Sequence, residues 1–242
     1  MRLVLLILII PFFLFASDVD TLMEKAGLNK QISALKDSSL AYLNLLDTEN
    51  EMQMLFKNHL YKNFDDKILI SKVKESIEKK LTGEEIKELN IWFSSEVGSR
   101  IVKAEIDSSK ADELTGMVLM LPELIKDKKR LMRIIKIESY LNYTSYSMRL
   151  TQTLFDTIIP NNKQTAIFRE AFYRSYAQKM YHEVLAFFLF TYRDVSYEDL
   201  DLYIEFLSKD SAKKFSKTVM ETQLDILIEW IFKSIRESRN IV

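Results

Sequence analysis

Two histidines, His59 and His182, and 35 carboxylates are what this 242-residue chain offers to acid–base or metal chemistry, and it has no cysteine. Without cysteine, thiol catalysis, thiolate metal sites and iron–sulfur clusters are excluded. His182-Glu183 lacks the second histidine four residues on that a helical zinc-protease motif requires. His59 with Asp65 and Asp66 could form a one-imidazole site, but a solvated helix face explains the three better. The glycines that a strand–serine–helix elbow needs are missing. Glu84, Glu85 and Glu88, answered by Glu198, Asp199 and Asp201, have the spacing of paired carboxylates for proton transfer. Each set also follows a hydroxyl residue, Thr82 or Ser196, and so falls in the first turn of a helix. There the macrodipole favours negative charge by about 0.3–1 kcal/mol each. The capping reading needs no further assumption. Lys213, Lys214 and Lys217 read as a solvated face. No catalytic, cofactor or metal residue is assigned.

The elements that would carry these groups are helices. Glycine and proline together number 7, about a quarter of the usual share, which leaves too few turn formers for hairpins or a phosphate loop. Helical periodicity with capping signals recurs along the chain. It predicts a short helix over 18–26 closed by Gly27 in the left-handed conformation, a helix over 28–46 and a long one over about 49–80. Thr82-Gly-Glu-Glu85 has the spacing of a capping box and opens a helix bearing Ile86, Leu89, Trp92 and Phe93. Ser94-Ser95-Glu96 starts another, running past Arg100 toward Leu114. Pro122 suits the first turn of a further short helix.

The chain also repeats itself. Residues 56–68 (FKNHLYKNFDDKI) lie over 168–180 (FREAFYRSYAQKM) without a gap. Residues 81–94 (LTGEEIKELNIWFS) lie over 195–208 (VSYEDLDLYIEFLS), with Gly98, Arg100 and Ile101 then facing Ala212, Lys214 and Phe215. The spacings are 112 and 114 residues, in the same order. The expected fold is therefore all-α: two tandem repeats of about five helices, 17–129 and 130–242, packed as one bundle-like unit. Each would place its long helix, about 49–80 or 162–193, at its centre.

The segment 81–100, with its hydroxyl–acid start, Trp92-Phe93 and Ser94-Ser95-Glu96-Val97-Gly98, resembles a bacterial exported helical family, domain of unknown function 2059. The copy at 195–214 resembles it more loosely, with Ala212 where the family usually has glycine. The resemblance implies an exported all-α protein and carries over no activity or catalytic residue.

Export is also legible at the start of the chain. Arg2, an apolar run over 3–15 and the small residues Ala16-Ser17 read as a signal peptide over 1–16, cut near Ala16–Ser17. An uncleaved leader would be a membrane anchor instead. No other segment is apolar enough to span a bilayer; the best run, 184–190, is seven residues. After the leader the chain carries 33 basic and 35 acidic residues, a balance that gives no footprint for nucleic acid.

Aromatic residues are unevenly placed, six in 17–129 against nineteen in 130–242. Core packing accounts for such a surplus, because an aromatic ring fills more volume than the aliphatic residue it replaces. The alternatives are a partner-binding surface, where tyrosine is enriched, or an apolar cavity. Tyr140, Tyr143, Tyr146, Phe172, Tyr173 and Tyr176 are the interaction candidates, since each tyrosine hydroxyl wants water or a partner. The expected function is that of a periplasmic, non-enzymatic protein binding another envelope protein or itself. Binding of a lipid or other apolar ligand inside the second repeat is the alternative.

Overall fold

The computed structural model describes residues 10–35, 62–110, 113–158 and 166–239. It is all-α, with no strand among the described residues. Helix α1 (Ile10–Lys25) is followed by a helical stretch over 28–35, then by α2 (Asp66–Lys80), α3 (Gly83–Ser94), α4 (Glu96–Ser108) and α5 (Glu113–Leu124). Five more complete the chain: α6 (Lys128–Leu141), α7 (Tyr143–Ile158), α8 (Ala166–Thr191), α9 (Tyr197–Ser208) and α10 (Asp210–Arg239).

The apolar stripes meet in one core. Val19, Leu22 and Met23 of α1, with Ala26 just beyond it, recur at three- and four-residue steps, as do Leu69, Val73 and Ile77 of α2, and all are buried. They share a single cluster with Leu89 and Phe93 of α3, Ile134 and Ile137 of α6, Leu200 and Tyr203 of α9, and Phe215 and Trp230 of α10. Helix α2 packs on both α1 and α10, α3 on both α1 and α10, and α9 on both α4 and α6. Elements of the two sequence halves thus interleave. Residue 130, where the second half was expected to begin, lies inside α6, and its guanidinium donates to the carbonyls of Tyr192 and Val195 at 2.5 and 2.8 Å.

Gly27 ends the first helical run as expected, at φ 68°. A Cβ there would also stand 2.8 Å from side-chain carbons of Val102 and Ile106, so the residue serves a turn and a close approach to α4 together. The run begins earlier than expected, since α1 starts at Ile10 and passes through the Ala16–Ser17 junction.

Four other expectations are corrected. The long helix over 49–80 is interrupted at 64–65, where the Asp65 carboxylate accepts from the N–H groups of Lys67 and Ile68 and caps α2. The aligned residue of the second copy is Ala177, which cannot cap, and α8 runs through it unbroken. Nor does α8 lie at a centre along its length: its last turns, Val184 to Phe190, are mostly buried, whereas Ile167 is 82% exposed. Helix α4 stops at Ser108 rather than running to Leu114, because Ser108 and Ser109 return their hydroxyls to the carbonyls of Glu105 and Ile106. Pro122 sits inside α5 near its end, not in a first turn. The outer portions of the expected helices over 28–46, 49–80 and 162–193, together with His59, lie outside the described residues.

Candidate functional site

Of the acidic residues at the starts of α3 and α9, Glu85, Glu88, Asp199 and Asp201 enter caps or ion pairs, whereas Glu84 and Glu198 are exposed. Thr82 accepts from the Glu85 N–H, and the Glu85 carboxylate accepts from the Thr82 N–H at 2.7 Å, the reciprocal box its spacing predicts. Ser196 caps α9 by accepting from the Asp199 N–H at 3.1 Å. The Asp199 carboxylate takes both arms of Arg100, at 2.8 and 2.9 Å. Lys214 reaches both oxygens of Glu85 at 2.9 and 2.8 Å, so it is not part of a merely solvated face. Lys213 and Lys217 keep exposed positions, each near an acid of its own helix.

These two ion pairs are counterparts. Residues 85 and 199 differ by 114, as do 100 and 214, and each base reaches the acid of the other half. Trp92 and Phe206, also 114 apart, stack face to face with ring centroids 4.4 Å apart and planes 6° from parallel. The seam between α3–α4 and α9–α10 thus has near two-fold character. Its bases hold the carboxyls of Asp199 and Glu85 below the usual carboxylate range, chiefly through the hydrogen bonds from Arg100 and Lys214. A carboxylate so held is a poor proton donor or acceptor near neutral pH.

Glu105 behaves in the opposite sense. Burial pushes its carboxyl above the usual range, against hydrogen bonds from the hydroxyls of Tyr192 (2.7 Å) and Tyr203 (3.1 Å) and from the Gln31 amide. It ties α4 to α9 and to the end of α8 and is not among the residues lining the groove described below. No group of three or more carboxylates or histidines suited to a metal ion occurs among the described residues.

The six aromatic candidates do not form one surface. Tyr140 is half-buried near the end of α6, with the Lys213 ammonium 5.9 Å from its ring centre. Tyr143 sits edge-on to Phe188 at 5.8 Å, and its backbone N–H donates to the buried Glu138 carboxylate, which fastens the turn between α6 and α7. Tyr146, one turn on, is half-buried. Phe172, Tyr173 and Tyr176 form a separate half-buried group on α8: Phe172 stacks on Tyr176 at 5.3 Å, and the Tyr173 hydroxyl donates to Asp156 of α7. Much of the remaining aromatic surplus is core, including Phe188, Phe190, Tyr192, Tyr203, Phe206 and Phe215.

Of these candidates, only Tyr140 lines the groove between α6 and α9. This groove has a volume of about 550 Å³ and is bounded by Lys129, Met132, Arg133 and Lys136 on α6 and by Asp201, Ile204, Glu205 and Ser208 on α9. Helix α6 is anchored below it. The Tyr197 ring lies 5.2 Å from the Arg130 guanidinium and 4.8 Å from that of Arg133, and its hydroxyl donates to Asp127. Arg133 pairs with Asp201 at 2.9 and 2.7 Å. Met132 is left 71% exposed and Ile135 41%. Periodicity alone does not distinguish these residues, although the run KKRLMRIIK over 128–136 carries five bases and no acid. Its buried stripe is Ile134 and Ile137; Met132 and Ile135 are apolar side chains on the outward face among lysines.

No family model, no curated protein and no solved structure matches this chain.

Proposed function

We propose that this is an exported, non-enzymatic protein that works in the periplasm by binding other proteins of the bacterial cell envelope. The observation that carries the reading is the set of large apolar side chains left exposed on successive helices: Leu119 and Met120 on α5, Ile125 just beyond it, and Met132 and Ile135 on α6. Burying one such side chain in an interface is worth about 1.5–3 kcal/mol. Glu85 and Asp199, two of the carboxylates with the spacing for proton transfer, are meanwhile held in a cap and in ion pairs.

Export rests on the leader-like start of the chain and on the resemblance of 81–100 to an exported family. Among the described residues no helix is long and apolar enough to cross a membrane. Tandem duplication supplies a reason for the near two-fold seam, since two copies of one unit pack through the same surface. An apolar ligand is less well served. The α6–α9 groove is open along its length and flanked by charged side chains, so a bound lipid tail would stay in contact with water.

Fractionation of native cells with amino-terminal sequencing tests location: the protein is expected in the periplasmic fraction, beginning at Ser17. Cross-linking in intact cells tests the activity. A reproducible envelope protein should co-purify, and its absence with a small molecule retained on native mass spectrometry would replace this reading with ligand binding.

A further inference from the structure

The groove between α6 and α9 has rims of opposite charge. Lys129, Arg133 and Lys136 stand on the α6 side, and Asp201 and Glu205 on the α9 side. Arg133 and Asp201 satisfy each other across it. Lys129, Lys136 and Glu205 are exposed and make no ion pair among the described residues. Between the rims lie Met132, Ile204 and Tyr140, and Met132 is an unbranched, adaptable side chain suited to an induced contact. The lining residues run from Lys129 to Tyr140 on α6, a rise of about 16 Å, and from Asp201 to Ser208 on α9, about 10 Å. That length matches the apolar anchors of one docked helix at i, i+4 and i+7, which span about 10 Å.

We propose that this groove receives a single amphipathic helix of a partner protein, acidic along the flank that meets α6 and basic along the flank that meets α9. The inference rests on the reading of the chain as an interaction protein and specifies its partner. Opposite rims fix the direction and the face of the incoming helix, because reversing it would set like charges together on both sides. An anionic membrane surface fits less well: it would be drawn to the lysines of α6 but would meet Asp201 and Glu205 on the facing rim.

The test places a photoreactive residue in the full-length protein in its native host, as Met132→p-benzoylphenylalanine in the groove and, separately, as Leu119→p-benzoylphenylalanine on α5. Irradiation at Met132 should yield an adduct with another protein, mapped by mass spectrometry to a segment whose apolar residues recur at i, i+4 and i+7 between acidic and basic flanks. Adding Lys129→Glu and Lys136→Glu should lower that yield about tenfold or more, and adding Glu205→Lys should also lower it, with an unchanged circular dichroism spectrum in each case. An adduct at Met132 with lipid, with another copy of this chain or with a segment lacking the two-flank pattern overturns the proposal. No adduct at Met132 with a protein adduct at Leu119 overturns the groove and leaves the interaction reading standing. Silence at both positions overturns both.

Discussion

Glu105 and Gly98 show single side chains set by their surroundings rather than by chemistry on a substrate. Burial raises the Glu105 carboxyl above its ordinary value of 4.5, so the folded state binds a proton more tightly there than the unfolded chain does. Its contribution to stability is therefore fully present below about pH 4.5 and is lost as pH rises through the raised value. Glu105→Gln keeps an acceptor for Tyr192 and Tyr203 without the charge. The melting temperature of that variant relative to the parent should rise between pH 4 and pH 8; a difference that does not move with pH would count against the burial argument. Gly98 is steric. A Cβ there would stand 2.2 Å from the Trp92 carbonyl oxygen and 3.1 Å from the Phe93 Cα, both backbone atoms at the α3–α4 junction. Gly98→Ala should cost about 2 kcal/mol in urea denaturation, within the range for overpacking. At the aligned position Ala212 is fully buried and accommodated, so the two junctions are related but not superposable in detail.

At the scale of elements, the seam between α3–α4 and α9–α10 is where sequence and structure speak most directly to each other. Alignment of the two copies placed Arg100 opposite Lys214 and Glu85 opposite Asp199 as equivalents, and the helices α3 and α9 were legible to the residue from their hydroxyl caps. That each base would cross to the other copy's acid was not legible, because periodicity describes one helix at a time and says nothing about which faces meet. The same limit hid the α6–α9 groove: the KKRLMRIIK run shows an unusual helix, yet only the packing of Ile134 and Ile137 reveals which side is left outside. The break at 64–65 escapes the apolar pattern for a different reason. A single aspartate capping two N–H groups outweighs an apolar period that continues across it. The seam pairs should differ in weight. Arg100→Ala leaves Asp199, only 8% exposed, without its two guanidinium hydrogen bonds and should be the costlier change. Lys214→Ala leaves Glu85 the Thr82 N–H and access to water, and should cost about 1 kcal/mol or less. Because Asp199 is held below its ordinary range, the Arg100 contribution is present above about pH 4 and is lost as pH falls through the folded value. Equal costs for the two variants, or an Arg100→Ala penalty that does not shrink as pH falls below 4, would contradict this account.

Across the whole molecule, the question is whether two copies of a sequence pattern make two folding units or one. Leu69, Val73 and Ile77 of α2 are fully buried, and α2 packs on α10 of the other half as well as on α1. Parting the halves would expose side chains whose burial is worth about 1.5–3 kcal/mol each, several of them at once, against a total stability of about 5–15 kcal/mol for a domain. Neither half should then persist alone. The two tryptophans report on separate parts of this shared core: Trp92 lies on Phe206 in the α3–α9 seam, and Trp230 packs on Phe64 at 4.9 Å where α10 meets the start of α2. Each probe therefore straddles both halves. In Trp92→Phe and Trp230→Phe variants, the remaining tryptophan should report a single urea transition that coincides with loss of helicity by circular dichroism in the same variant. Residues 17–129 expressed alone should show no cooperative melt. Two transitions at different urea concentrations within one variant, or a cooperatively melting half, would mean that the copies fold independently and that the Arg100–Asp199 and Lys214–Glu85 pairs join finished units instead of completing one.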